Sequence, residues 1–134
     1  VRGRFGLAPA GLPTLAWMIE SNGRAVGYVG LLDEDQHHQR AELTISIGET
    51  DCWNSGFGKD AIGAILRYAF QDLSLRRIDL RVGGDNARAI RCYERSGFVR
   101  EGVMRERQLR EGKPVDVVVM GVLKHEWEEI QNAT

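Results

Sequence analysis

Hydrophobic positions change period along this chain, and the changes divide it into elements. In Thr14–Glu20 the residues Leu15, Trp17 and Ile19 fall on alternate positions, and after Ser21-Asn22-Gly23-Arg24 the run Ala25–Asp33 is rich in Val, Tyr and Leu. Two such runs around an Asn-Gly pair, the dipeptide favoured by type I′ turns, predict a β-hairpin. Polar Glu34 to Gln39 makes a loop, and Arg40–Ile47 then alternates strictly, with Leu43, Ile45 and Ile47 on one face against Glu42, Thr44 and Ser46 on the other. A third strand is expected there. From Gly58 to Leu73 the period lengthens, with Ala61, Ile62, Ile65, Leu66, Ala69 and Leu73 on one stripe, which predicts an amphipathic helix. Arg77–Val82 returns to period two, so Arg40–Val82 reads as strand, helix, strand, and a crossover of that kind makes the two strands a parallel pair. Asp85-Asn86 signals a helix start, Ala89, Ile90 and Tyr93 form a short apolar stripe, and Gly97 ends the helix. Two last strands, Phe98 to Leu109 and Val115–Leu123, flank a turn over Arg110–Pro114. The opening Val1–Pro13, rich in Gly, Pro and Arg without a period, reads as an irregular lead-in.

Composition narrows what such a fold can do. The 134 residues are room for one domain, and 43% hydrophobic content excludes disorder as a description of the whole. Eighteen basic against nineteen acidic residues give a net charge of −1, which provides no electrostatic footprint for nucleic acid or an anionic membrane. No apolar run is long enough to span a bilayer, and the reading is of a soluble, cytoplasmic protein. Cys52 and Cys92 lie far apart without metal spacing, and His37-His38 has no third ligand nearby in sequence, so no metal site is expected. The 16 glycines, about 12% of the chain against a usual 7% or so, call for turns or for places where a ligand approaches the backbone.

The stretch Trp53-Asn54-Ser55-Gly56-Phe57-Gly58-Lys59 joins a strand to a helix, with glycines at the point of entry. Backbone N–H groups of such a turn and of the first helical turn converge on one spot, where a phosphate or pyrophosphate fits. A plain strand-to-helix turn would use the same residues. The spacing matches neither a Walker A loop nor Gly-x-Gly-x-x-Gly.

A second block, Asn86-x-x-Ala89-x-x-x-Tyr93-x-x-x-Gly97-Phe98, follows the next strand. Together the two blocks resemble the GNAT superfamily of acetyl-CoA-dependent N-acetyltransferases, in the branch of ribosomal-protein N-terminal and spermidine acetyltransferases. The resemblance implies a mixed, mostly antiparallel twisted sheet with a central parallel strand pair and flanking helices. It also implies that acetyl-CoA is a co-substrate and that the acceptor is a primary amine of a polyamine, a protein N-terminus or a small molecule. The coenzyme pyrophosphate would lie on Gly56, Phe57, Gly58 and Lys59, with Trp53, Asn54 and Ser55 leading in. Its pantetheine arm would pair like an added strand with Ile45, Ser46 and Ile47. Asn86, with Ala89 behind it, would both cap its helix and bond a pantetheine amide. The family's first strand and two substrate-side helices have no counterpart in Val1–Pro13, and a homodimer is compatible with the family.

By the same resemblance Tyr93 would protonate the departing thiolate, a task that suits a phenol with an ordinary pKa near 10. Taken alone, Tyr93 equally suits a ring packed into the core. Glu42 is the candidate general base, since it lies on the strand whose end would hold the acetyl group; an ordinary exposed strand carboxylate is the other reading. Asp116 ranks second, as a holder of a cationic substrate or as a structural acid near a turn. The alternative to an enzyme is a silent GNAT-like module that binds acetyl-CoA or a protein without turnover.

Overall fold

The computed structural model describes residues 2–7, 15–21, 23–47 and 57–133. The strands are β1 (Arg2–Leu7), which has no hydrophobic period, and β2 (Leu15–Ser21), β3 (Arg24–Asp35) and β4 (Arg40–Ile47). Helix α1 (Phe57–Arg67) runs into one π-helical turn over Tyr68–Asp72 and leads to β5 (Arg77–Gly83). Helix α2 (Ala87–Arg95), strands β6 (Val99–Arg110) and β7 (Lys113–Leu123), and helix α3 (Lys124–Asn132) complete the order. The strands form one sheet in the order β1-β2-β3-β4-β5-β7-β6, antiparallel except for the pair β4 and β5.

Two sequence expectations need correction. Arg2–Leu7 is an edge strand in register with β2, from Arg2 opposite Glu20 to Leu7 opposite Leu15, and not an irregular lead-in; the sheet does not lack a strand at this edge. Backbone pairing with β2 asks nothing of hydrophobic period, and an outermost strand tolerates the Gly and Arg that hid it. The second correction concerns the last hairpin, whose turn is the two residues Glu111 and Gly112, both at positive φ (52° and 77°), with Arg110 opposite Lys113. Those angles make the tight turn whose twist matches its strands. Pro114 is accommodated because β5 pairs with β7 only as far as Val117, so the proline stands beyond that ladder.

One sheet face carries the core. Val29 and Leu31, Ala41 and Leu43, Ile78, Leu80 and Val82, and Met120 and Val122 all point to it, and α1, α2 and α3 cover it with Phe70, Ile90 and Trp127 among others. Each large side chain buried there contributes about 1.5–3 kcal/mol relative to exposure. The π-helical turn closes with Leu73 N–H donating to the Tyr68 carbonyl at 3.0 Å and keeps both Ala69 and Phe70 inside. Helix α3 was not foreseen, although Trp127 and Ile130 lie three apart and Glu126 accepts from the Leu123 N–H at 2.9 Å, an N-terminal cap. On the opposite face Met18 and Tyr28 stand exposed.

Candidate active site at a split in the sheet

The parallel pairing of β4 with β5 is short. Arg40, Ala41 and Glu42 stand opposite Arg77, Ile78 and Asp79, and there the pairing ends. Strand β4 nevertheless continues to Ile47, and β5 continues to Gly83 while still paired with β7. Past Glu42, the side of β4 that faces β5 has no strand partner among the described residues. Peptide groups in such a wedge must bond to water or to a guest that mimics a strand.

The elements around the wedge present the predicted residues in different ways. Ile45, Ser46 and Ile47 all lie on β4 beyond the last parallel pair, with Ile45 packed against the core and Ser46 exposed. Helix α1 begins at Phe57, so its first-turn N–H groups come from the predicted anion-binding stretch; Gly58 is buried there and Lys59 exposed. Trp53, Asn54, Ser55 and Gly56 lie outside the described residues. Asn86 caps α2, its Oδ1 accepting from the N–H of buried Ala89 at 3.2 Å. Its own N–H donates to the Gly83 carbonyl at 3.0 Å, tying the cap to the end of β5. Burial pushes the Cys92 thiol up, while the positive charges of Arg95 and Lys59 pull it down. Helices α1 and α2 are in contact with each other.

Tyr93 is buried at 6% exposure and meets Phe98 edge to face, with ring centroids 5.9 Å apart. Its hydroxyl has no hydrogen-bond partner among the described residues, a costly arrangement for a buried O–H unless a ligand or water supplies one. Burial, with a smaller contribution from neighbouring Cys92, raises the phenol well above its ordinary value, so it stays protonated.

Glu42 does not share a face with Tyr93. Its neighbours Ala41 and Leu43 are both buried on the helix-covered side, so strand alternation turns Glu42 to the opposite side, at the closed end of the wedge. Asp116 is engaged structurally: its Oδ1 accepts from the Glu106 N–H at 2.8 Å, where Glu106 holds φ of 50° in a bulge of β6, and its carbonyl accepts from Gly84 N–H at 2.7 Å. The histidine pair is likewise local, with His38 Nδ1 3.0 Å from Asp35. Among the described residues no cluster of three His, Cys, Asp or Glu could hold a metal.

Below the wedge lies a feature that sequence reasoning missed. Arg77 bonds Glu101 through both terminal nitrogens, at 2.6 and 3.0 Å, and Asp79 through Nε at 3.2 Å, with Arg40 3.6 Å from Asp79. The Arg77–Glu101 pair crosses β7 above Gly121, where a β-carbon would come within 2.8–3.0 Å of both side chains. A glycine inside an otherwise apolar strand was the one signal of it.

Comparisons with known proteins agree with this architecture. Residues 6–99 match the family model for the acetyltransferase (GNAT) domain. The chain is 33% identical over 102 residues to a spermidine N(1)-acetyltransferase of Vibrio cholerae, covering 76% of this chain and 58% of that one. A putative ribosomal N-acetyltransferase of Bacillus subtilis is 32% identical over 109 residues, with 80% and 58% covered. The chain thus spans about three fifths of the length of the curated relatives it matches. Among solved structures, a spermidine N-acetyltransferase from Vibrio cholerae in complex with CoA and spermine superposes with a TM-score of 0.78 at 29% identity, over 86% of this chain and 68% of the other.

Proposed function

The chain belongs to the GNAT acetyltransferase family, and on that premise we propose that it transfers the acetyl group of acetyl-CoA to a primary amine within a ternary complex. The observation that carries this reading is the wedge between β4 and β5, one of whose walls is a strand edge with no strand partner among the described residues. The pantetheine arm has amides that can pair with that edge along Ile45, Ser46 and Ile47, as a strand would. The N-terminus of α1, entered through Trp53 to Lys59, supplies N–H groups for the pyrophosphate, and Lys59 adds a positive charge. Asn86 keeps its amide N–H groups for the coenzyme, since its Oδ1 is committed to the cap.

The two catalytic candidates stand on opposite sides of the sheet, and a thioester lying in the gap between them is reached from both. The amine attacks the thioester carbonyl carbon from the face that carries Glu42, which takes the proton that the nitrogen must lose, directly or through water. The carbon–sulfur bond then breaks, and the buried phenol of Tyr93 donates its proton to the leaving thiolate from the helix-covered face. Backbone N–H groups along the free edge of β4 polarise the carbonyl. Both substrates are held together, so no covalent enzyme intermediate is needed.

Polyamines head the acceptor classes, because spermidine acetyltransferases recur among the relatives and one solved neighbour is a complex with CoA and spermine; peptides with free N-termini come next, by similarity to the putative ribosomal N-acetyltransferase. The test is thiol release from acetyl-CoA with spermidine, spermine, free N-terminal peptides and aminoglycosides in turn. Turnover with at least one amine is expected. Coenzyme A binding by calorimetry with no thiol released for any acceptor would replace the enzyme with a binding module.

A further inference from the structure

A cavity that acetyl transfer leaves unused lies on the helix-covered face, on the other side of β4 from the wedge. Its floor is formed by Trp17, Ile19 and Val29 of β2 and β3, its wall by the flank of α1 through Asp60, Ala64 and Tyr68, and its volume is about 290 Å3. The register sets Trp17 beside Val29 and Val29 beside Ile45, so β4 separates this floor from the gap where the thioester would lie.

Its lining has a definite chemical character. Trp17 and Tyr68 meet edge to face at 5.0 Å and 71°, offering two ring surfaces at a steep angle. Tyr68 opens the π-helical turn, an irregularity that recurs at functional sites. Small Ala64 leaves the helix wall recessed between them, one turn from Asp60 and one from Tyr68. Asp60 is exposed at one end, in the first turn of α1 where the helix dipole favours a negative charge. Among the described residues no cation pairs with it, and no Lys, Arg or His lines the cavity. An apolar body bounded by aromatic rings with one negative charge at the rim is complementary to a small amine carrying an aryl or branched alkyl group, and cation–π attraction adds to the fit.

We infer that this cavity is a second ligand site, for a small monoamine with an apolar body, separate from the acetyl-transfer wedge. The fluorescence of Trp17 reports on it directly, and Trp17→Phe subtracts the signal of the other tryptophans. The protein is titrated with 2-phenylethylamine, with 2-phenylethanol as its neutral counterpart, and with spermidine as a polycation lacking the apolar body. Saturable binding is expected for 2-phenylethylamine, about ten-fold weaker or worse for the other two and for the amine with Asp60→Asn, the scale of one charged contact. Ala64→Leu fills the recess from the exposed side of the helix and should abolish binding, with the circular dichroism spectrum and coenzyme A affinity unchanged. Saturating coenzyme A should leave the titration unaltered. The inference is overturned by no saturable response up to about 10 mM, by equal binding of the neutral compound, by undiminished binding in both variants, or by displacement with coenzyme A. Because the readout is binding and not turnover, its failure leaves the acetyl-transfer reading untouched, and the reverse holds too.

Discussion

The two ends of the seam between β4 and β5 are built from the same pair of strands and do opposite things. At the closed end, Arg40–Glu42 against Arg77–Asp79, the ladder is complete, Ile78 is fully buried beneath it, and the Arg77, Asp79 and Glu101 side chains tie it down from above. At the open end β5 pairs with β7, and the edge of β4 has no strand partner among the described residues. The closed end commits its polar groups to the protein itself, whereas past Glu42 the edge of β4 has no strand partner among the described residues. On the proposed function, stability and chemistry are separable along one seam, and substitutions at its two ends should be distinguishable by what they change.

The largest effect is expected from Ile78→Ala at the closed end, which leaves a cavity under the last parallel pairs and should cost about 2–5 kcal/mol in denaturant unfolding. A cost below about 1 kcal/mol would show that the closed end does not anchor the seam. Next comes Tyr93→Phe, at the proposed acid. It removes a buried hydroxyl without a hydrogen-bond partner among the described residues, so stability should hold or rise slightly, while kcat falls about 100-fold and coenzyme A affinity stays within about two-fold. Unchanged turnover with intact coenzyme affinity would dismiss Tyr93 as the acid.

Asn86 caps α2 and is proposed to bind the coenzyme as well, and two substitutions separate the two roles. Asn86→Ala loses the cap at a cost of about 1 kcal/mol, whereas Asn86→Asp keeps a capping oxygen but no amide donors. Asn86→Asp should therefore unfold like the parent and bind coenzyme A about ten-fold more weakly by calorimetry. Equal affinity would confine Asn86 to capping.

The smallest effect belongs to the exposed charges. Hydrogen bonding to Arg77 holds the Glu101 carboxyl below its usual range, so its contribution is present above the ordinary glutamate value and is lost as pH falls through the lowered one. Glu101→Gln should thus cost less than about 1 kcal/mol at neutral pH, and the difference from the parent should vanish in acid. A difference that persists unchanged in acid would mean that Glu101 acts through packing and not through its charge.

Much of this was legible in the chain. The period changes located β2, β3, β4, α1, β5 and α2 to within a few residues, because burial on one face imposes its spacing on side chains. The Asn86 cap was legible because its partner is three residues away. Strand β1 was not, since an edge strand is chosen by the backbone of its neighbour. The face of Glu42 was legible in its alternation with Leu43, yet its separation from Tyr93 was not, because no local pattern states which face the helices will cover.

The amino-acid sequence by itself determined the order of elements, the strand–helix–strand crossover that makes β4 and β5 parallel, and the family resemblance carried by Gly56, Gly58, Asn86 and Tyr93. These depend on spacing along the chain, where local sterics and amphipathic period decide. Only the tertiary structure decided that the parallel pairing stops at Glu42, that Tyr93 is buried, and that Trp17, Tyr68 and Asp60 border one cavity. Each of those joins residues from different elements, and where a twisted sheet parts or a helix recedes is set by how all the elements pack at once.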